Sequence, residues 1–258
     1  MSINFHDDHH KESYTSRTAS TEWRIEVDKF LEGKNIFHAA DIGCGGGIYS
    51  KALSDMGISV VTAIDFSETI INGAKMNCDN YSSINFHLGN AYQTGLPDST
   101  FDLVLERALI HHLNDLEASF SEAFRVLNPD GTFIIQDRTP DDCFLEGSSS
   151  HIRGFIFSAF PKLKEVELKR RYSSEKVFKA LKIAGFTDIA ETKLWETRKK
   201  YISKEALLND LSSRKGRSIL YELDDSQLER LVKHVDMQLD QDEIIEQDRW
   251  TIWTATKK

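Results

Sequence analysis

Residues 41–47 read Asp41-Ile42-Gly43-Cys44-Gly45-Gly46-Gly47, and this stretch decides the fold. It follows a short apolar run over 36–42 that reads as a strand. It precedes a helical pattern over 48–56 that stops near Gly57. Glycine carries no Cβ and accepts positive φ, so such a turn lets backbone approach a ligand closely. The ligand then lies at the strand's carboxyl end, beside a helix N-terminus. A dinucleotide fingerprint requires G-x-G-x-x-G. Counted from Gly43 the sixth position is Ile48, and counted from Gly45 it is Ser50, so that template fails in both registers. What remains is an acidic residue two positions ahead of a G-x-G-x-G run.

Outward from the turn, short apolar runs alternate with helical stretches. Segments 59–65 (SVVTAID), 84–88, 101–106 (FDLVLE) and 132–137 read as strands. Ser67 is placed to cap a helix with Ile70, Ile71 and Ala74 on one face, and 115–127 reads as a helix stopped by the NPDG turn at 128–131. Such alternation implies right-handed crossovers and a parallel sheet with helices on both faces. A helix over 18–31, carrying Trp23, Val27, Phe30 and Leu31, leads in. After Arg138 the rhythm breaks: 139–150 is polar, 152–160 is aromatic-rich, and 174–184 is helical. The stretch 187–199 is strand-like, 204–239 holds two or three amphipathic helices, and 250–256 (WTIWTAT) alternates as a last strand. With no repeat and no evident linker, the pattern favours one domain over 1–258. It has an N-terminal helical segment over 1–35. Late insertions over 139–175 and 200–245 are expected to cap the sheet and bind substrate.

The chain has 258 residues and a formal net charge of −9, which disfavours a broad basic footprint for DNA. Three cysteines, Cys44, Cys78 and Cys143, make neither a disulfide framework nor a zinc motif. There is no apolar run of membrane-span length and no signal-peptide pattern at 1–10. These features point to a reduced, cytoplasmic protein with no membrane span and no metal. The His-rich start (His6, His9, His10) reads as a polar terminus, and Cys44 as a small turn residue rather than a nucleophile.

Further polar residues fall at strand ends in chain order. Asp65 ends the second strand in AIDFS, where a carboxylate accepts paired ribose hydroxyls, and Phe66 follows it as a ring for a nucleobase. Gly89-Asn90-Ala91 follows the third strand, and Glu106 ends the fourth within FDLVLERALIHHL at 101–113. Together with Asp41, Gly43, Gly45 and Gly47 this pattern resembles class I S-adenosylmethionine-dependent methyltransferases of small-molecule type. It is similar to the ubiquinone and menaquinone methyltransferase group, over roughly 39–138. The resemblance implies an α/β fold, a three-layer, doubly wound, mostly parallel seven-stranded sheet of Rossmann-like form, with its last strand antiparallel and a helical cap from the late insertions. It also implies S-adenosylmethionine as cofactor and S-adenosylhomocysteine as product. On this reading the Glu106 backbone carbonyl contacts the methionine part, and Asn90, where the family often has an acid, accepts from the adenine amino group through its side-chain carbonyl. Tyr14 and Arg17 precede the first helix, and Arg17 suits the cofactor carboxylate.

Methyl transfer needs nucleophile and methyl held in line, with a base where the acceptor has a proton to lose. His111 is the candidate base and His112 the weaker one, since both follow the fourth strand. Phe155, Phe157 and Phe160 read either as acceptor pocket or as cap core. The basic runs 162–171 (KLKEVELKRR) and 214–217 (RKGR) read as solvated faces ahead of anion sites. The expected partner is a small-molecule methyl acceptor, and the chain's state, monomer or homodimer, is open. A tRNA/RNA or protein methyltransferase and a non-catalytic S-adenosylmethionine-binding protein remain alternatives. The segment after the fourth strand, Glu106-Arg107-Ala108-Leu109, lacks the N-P-P-Y tetrad of adenine-N6 or glutamine methylation.

Overall fold

The computed structural model describes residues 18–214, 216–240 and 242–258. The chain begins with α1 (Thr21–Leu31), β1 (His38–Ile42), α2 (Ile48–Asp55), β2 (Val60–Asp65), α3 (Glu68–Asn77), β3 (Ile84–Leu88) and β4 (Phe101–Arg107). It continues through a 3-10 turn at Ile110–His112, α4 (Leu116–Val126), β5 (Leu127–Asp137), α5 (Pro140–Cys143), α6 (Ile152–Ala159), α7 (Leu163–Arg170) and α8 (Ser174–Ile183). It closes with β6 (Thr187–Tyr201), α9 (Lys204–Ser212), a 3-10 turn at Ser218–Glu222, α10 (Asp225–Gln238) and β7 (Ile244–Thr256). The seven strands form one sheet in the order β3-β2-β1-β4-β5-β7-β6. β1 to β5 pair in parallel, and β7 runs antiparallel to β5.

Side-chain caps set the helix starts. Ser20 accepts from the Trp23 amide at 3.1 Å, Ser67 from Ile70 at 3.4 Å and Asp115 from Ala118 at 3.0 Å, each satisfying an amide the helix leaves over. The NPDG segment departs from its reading as a plain stop. Phe101 pairs with Leu127 while Leu103 pairs with Thr132, so 128–131 bulges out of a strand that has already begun. Asp130 there takes φ 62° and donates its amide to the Lys257 carbonyl at 2.7 Å.

The chain divides into two compact units. One takes the described residues up to Asp137, with Ser173–Leu194 and Thr251–Lys258. In it Trp23, Val27, Leu53, Val61, Ala63, Leu103 and Leu105 form a cluster between one sheet face and α1 and α2. Alternate β4 and β5 residues pack elsewhere: Phe133 meets Phe120 edge-on at 5.3 Å and stacks on Phe186 at 5.2 Å.

The other unit comprises Arg138–Tyr172 and Trp195–Trp250. Its core holds Ile152, Phe155, Phe157, Leu207, Leu211, Leu228, Leu231 and Val235, with Phe160 packed partly against it. Phe155 and Phe157 are therefore core residues. The two basic runs depart from the solvated-face reading at particular residues, while Lys162, Lys164 and Lys169 are exposed. In 162–171, Glu167 is fully buried, accepts from Arg170 and Arg171, and lies 3.7 Å from Arg153. In 214–217, Arg217 is buried and donates to Glu246 at 2.7 Å and to Asp210. Glu167 lies inside its own run, whereas Arg217 takes one carboxylate seven residues before it, Asp210, and one 29 residues after it, Glu246.

The buried pair of Arg153 and Asp248, 3.0 Å apart, yields a test of this network. Asp248→Asn removes the carboxylate that both Arg138 and Arg153 bond in a desolvated site, leaving Arg153 only Glu167 at 3.7 Å. It is expected to cost about 3–5 kcal/mol in urea unfolding; a loss under 1 kcal/mol would show that the pair is not holding the unit together.

Candidate functional site

Parallel register brings the strand ends together. Ile42, the last residue of β1, is matched with Ile64 on β2 and with Glu106 on β4. Arg107 is matched with Gln136 on β5. The segments that leave these strands, 43–47, 65–67, 107–112 and the chain at Asp137, therefore emerge along one edge.

The turn is bent over by backbone bonds. The amides of Gly43 and Cys44 both donate to the Ile64 carbonyl, at 2.8 and 2.9 Å, and the Gly47 amide donates to the Cys44 carbonyl at 3.0 Å. Gly43, Gly45 and Gly47 take φ of 76°, 53° and 78°, the left-handed region where a Cβ is strained. Their surroundings differ. A Cβ on Gly43 would meet Leu109 at 2.8 Å, and one on Gly47 would meet Cys78 Sγ at 2.6 Å. A Cβ on Gly45 would meet nothing within 4 Å, so room for a ligand lies before this backbone. Cys44 is buried, and burial pushes its thiol well above the ordinary range, which suits a packing residue rather than a nucleophile.

Asp41 is buried and does not face open space. Its Oδ2 accepts from the Ser50 hydroxyl at 2.6 Å, tying the end of β1 to α2. Burial, reinforced by the nearby Asp65 and opposed by the Ser50 bond, pushes its carboxyl up to about 6. Asp65 orders the edge differently. Oδ1 accepts from the Ser67 amide at 3.0 Å and Oδ2 from the Gly45 amide at 3.2 Å, so one carboxylate clamps the turn and the start of α3 together. Burial raises its proton affinity as well. Each carboxylate oxygen can accept more than one bond, so these clamps do not exhaust it. Phe66 stands 56% exposed beside it, a large apolar ring left in solvent.

Asn90 corrects an expectation. Its side-chain carbonyl accepts from the amides of Tyr92 at 2.9 Å and Gln93 at 3.0 Å, an Asx turn that uses both lone pairs. Asn90 thus shapes the loop, with Ala91 buried next to it, and its carbonyl is not available for an adenine amino group unless that turn opens.

Glu106 is fully buried. Oε1 accepts from the Ser119 hydroxyl at 2.9 Å, and Oε2 has no hydrogen-bond partner among the described residues. Burial pushes this carboxyl up to about 8, against the Ser119 bond. Arg107, absent from the sequence-based candidates, lays its guanidinium 4.0 Å over the Tyr49 ring and donates Nε to Gln136 Oε1 at 3.1 Å. Ala108 then takes φ 52°, and the reversed backbone leads to the 3-10 turn.

There His111 finds a partner that sequence reasoning missed. Its amide donates to Asp137 Oδ2 at 3.2 Å, and its Nδ1 lies 2.7 Å from the same oxygen. Asp137 is buried and ends β5. Its position as the final residue of a parallel strand next to β4 was the available signal. The His112 ring packs 3.9 Å from that of His111. Arg17, expected at a cofactor carboxylate, lies outside the described residues, as do Tyr14 and the N-terminal histidines. No group of three or more metal-ligating side chains occurs among the described residues. No described helix is long and apolar enough to cross a membrane.

An open glycine backbone, a clamped carboxylate one strand away and an exposed aromatic ring beside it suit an adenosine with an amino acid end. The residues present therefore fit S-adenosylmethionine, with Asn90 the exception. Comparison with known proteins agrees. Residues 40–135 match the family described as methyltransferase domain. A demethylmenaquinone methyltransferase of Bacillus licheniformis is 27% identical over 124 residues, covering 47% of this chain and 53% of that protein. A ubiquinone biosynthesis O-methyltransferase of Coxiella burnetii is 31% identical over 108 residues, covering 42% and 44%. The matched region is thus about half the length of these curated relatives. A solved structure from Anabaena variabilis, described as a methyltransferase from an antibiotic biosynthesis pathway, shares the fold over 92% of this chain and 98% of its own, with TM-score 0.69 and 20% identity.

Two contrasts test the site. Gly45→Ala meets no atom, so it is expected to cost only about 1–2 kcal/mol of stability while its methyl group blocks the ligand approach and abolishes S-adenosylmethionine binding in calorimetry. Gly47→Ala, driven into Cys78, loses more stability. Glu106 gains proton affinity on folding, from 4.5 to about 8, so its contribution to stability is full below about pH 4.5 and is lost as pH rises to about 8. Glu106→Gln stays neutral. It is expected to raise Tm by several degrees near about pH 9 and hardly at all near about pH 5; equal shifts at both pH values would contradict the buried neutral acid.

Proposed function

Taking residues 40–135 as a class I S-adenosylmethionine-dependent methyltransferase domain, we propose that the protein transfers the cofactor's methyl group to a small-molecule acceptor. The acceptor has a proton to lose, and S-adenosylhomocysteine is the other product. The observation that carries this reading is the His111–Asp137 pair, 2.7 Å apart, on the same strand-end edge as the open glycine turn. The quinone-related methylations named for the relatives support a small acceptor over a polymer.

The residues divide the work. The backbone at Gly43, Gly45 and Gly47 lies against the cofactor's amino acid end, together with the Glu106 carbonyl. Asp65, already oriented by Gly45 and Ser67, accepts the ribose hydroxyls. Phe66 covers the adenine, and the loop at Asn90 and Ala91 closes around it. Arg17 remains a candidate for the cofactor carboxylate. Bound there, S-adenosylmethionine supplies a methyl group on a sulfonium that needs no further activation, so alignment is the protein's main task.

His111 takes the acceptor's proton. Asp137 accepts the Nδ1 hydrogen, fixing the tautomer in which Nε2 carries the accepting lone pair, and it stabilises the imidazolium that forms. The unit of Arg138–Tyr172 and Trp195–Trp250 is proposed to carry the residues that select the acceptor. Three cysteines that stand as free thiols suit the reducing interior of a cell, where we place this chemistry.

Radiolabelled methyl transfer to a panel of phenolic, quinol and amine acceptors tests the reading, with calorimetry for the cofactor. His111→Ala is expected to lower kcat by roughly 10²- to 10⁴-fold while cofactor affinity stays within a few-fold. Asp137→Asn, which spoils the tautomer, also lowers kcat. An acceptor turned over at full rate by His111→Ala would remove the base, and failure of the wild type to bind S-adenosylmethionine at millimolar concentration would remove the function.

A further inference from the structure

We propose that Glu106 matches charge with the cofactor: its buried carboxyl releases its proton to solvent when the sulfonium cofactor binds and keeps it beside the neutral thioether product. The inference rests on the reading of this edge as an S-adenosylmethionine site, and it gives the protein a means of telling cofactor from product.

The placement of Glu106 carries the argument. It is matched in register with Ile42, the residue from which the glycine turn departs, and with Ile135 on the other side. Its side chain is fully buried, held only by Ser119 on α4, with Oε2 unbonded among the described residues. A buried polar atom left in this state costs stability, and an apolar side chain such as leucine would fill the space at lower cost. Such a group calls for a function the resting protein does not display.

The charged groups on the neighbouring elements leave Glu106 to itself. Asp41 on β1 is engaged with Ser50, and Asp137 on β5 with His111. On α4, Glu122 is engaged with Arg125 and Thr94, and Glu117 and Arg125 complete the charged set of that helix. Glu106's proton affinity is set by burial and by Ser119 alone. A group poised by desolvation, with no cation beside it, is the one that responds when a cation arrives nearby. S-adenosylmethionine brings a sulfonium cation, and S-adenosylhomocysteine, with the same amino and carboxylate groups, does not. Burial raises Glu106 further than Asp41, to about 8 against about 6, and the Glu106→Gln variant separates the Glu106 proton from those of Asp41 and Asp65.

Calorimetric titration with each ligand at about pH 7.5, in buffers of different ionisation enthalpy, counts protons released. Groups common to both ligands cancel in the difference. S-adenosylmethionine is expected to release about half to one proton more than S-adenosylhomocysteine from the wild type. In Glu106→Gln that difference disappears, and the preference for cofactor over product falls roughly tenfold. Ser119→Ala, which removes the bond favouring the ionised form, moves the pH of greatest release upward. Equal proton counts for the two ligands in the wild type, or a difference that survives in Glu106→Gln, overturns the proposal while leaving the cofactor site standing. Absence of binding by both ligands overturns the cofactor reading and this inference with it.

Discussion

The carboxyl edge of the sheet depends on one acceptor, the Ile64 carbonyl. The amides of Gly43 and Cys44 both converge on it, so the chain leaving β1 is pulled across the end of β2 before it enters α2. Only residues that tolerate positive φ can follow that path, hence glycine at positions 43, 45 and 47. The same bend brings the Gly45 amide to Asp65, which then holds the start of α3 through Ser67. Turn, carboxylate and two helix starts form one rigid construction, as a site for accurate alignment requires.

This edge is unusually rich in reluctant acids. Asp41, Asp65 and Glu106 all bind protons more tightly than free carboxylates, in each case chiefly because they are buried. Maintaining three such groups costs stability, and the cost is borne where a cationic ligand is proposed. The unit of Arg138–Tyr172 and Trp195–Trp250 handles charge in the opposite manner. Asp248, Glu167 and Asp210 are held well below the ordinary range by arginines packed against them, and there the ion pairs serve cohesion.

Much of the fold was legible because local rules and tertiary structure agree. The alternation of apolar runs up to Asp137 placed each strand within a few residues, and Ser67 acts as the expected cap. The NPDG segment misled because its turn chemistry is real, yet Leu127 before it already pairs with Phe101. The run at 214–217 misled for a different reason: polarity in a window says nothing about partners far along the chain, and Arg217 finds a carboxylate on β7.

The sequence by itself determined the open glycine turn, the acid one strand over and the histidines after β4, because φ preference, side-chain period and strand-end position are properties of short segments. Tertiary structure alone decided what each polar group does. Packing across the sheet paired His111 with Asp137 and laid Arg107 on Tyr49, whereas Asn90 bonds amides of its own loop. It also sealed Glu106 away from water. Hydrogen-bond partners and desolvation depend on which distant residues arrive alongside, and no local pattern encodes that.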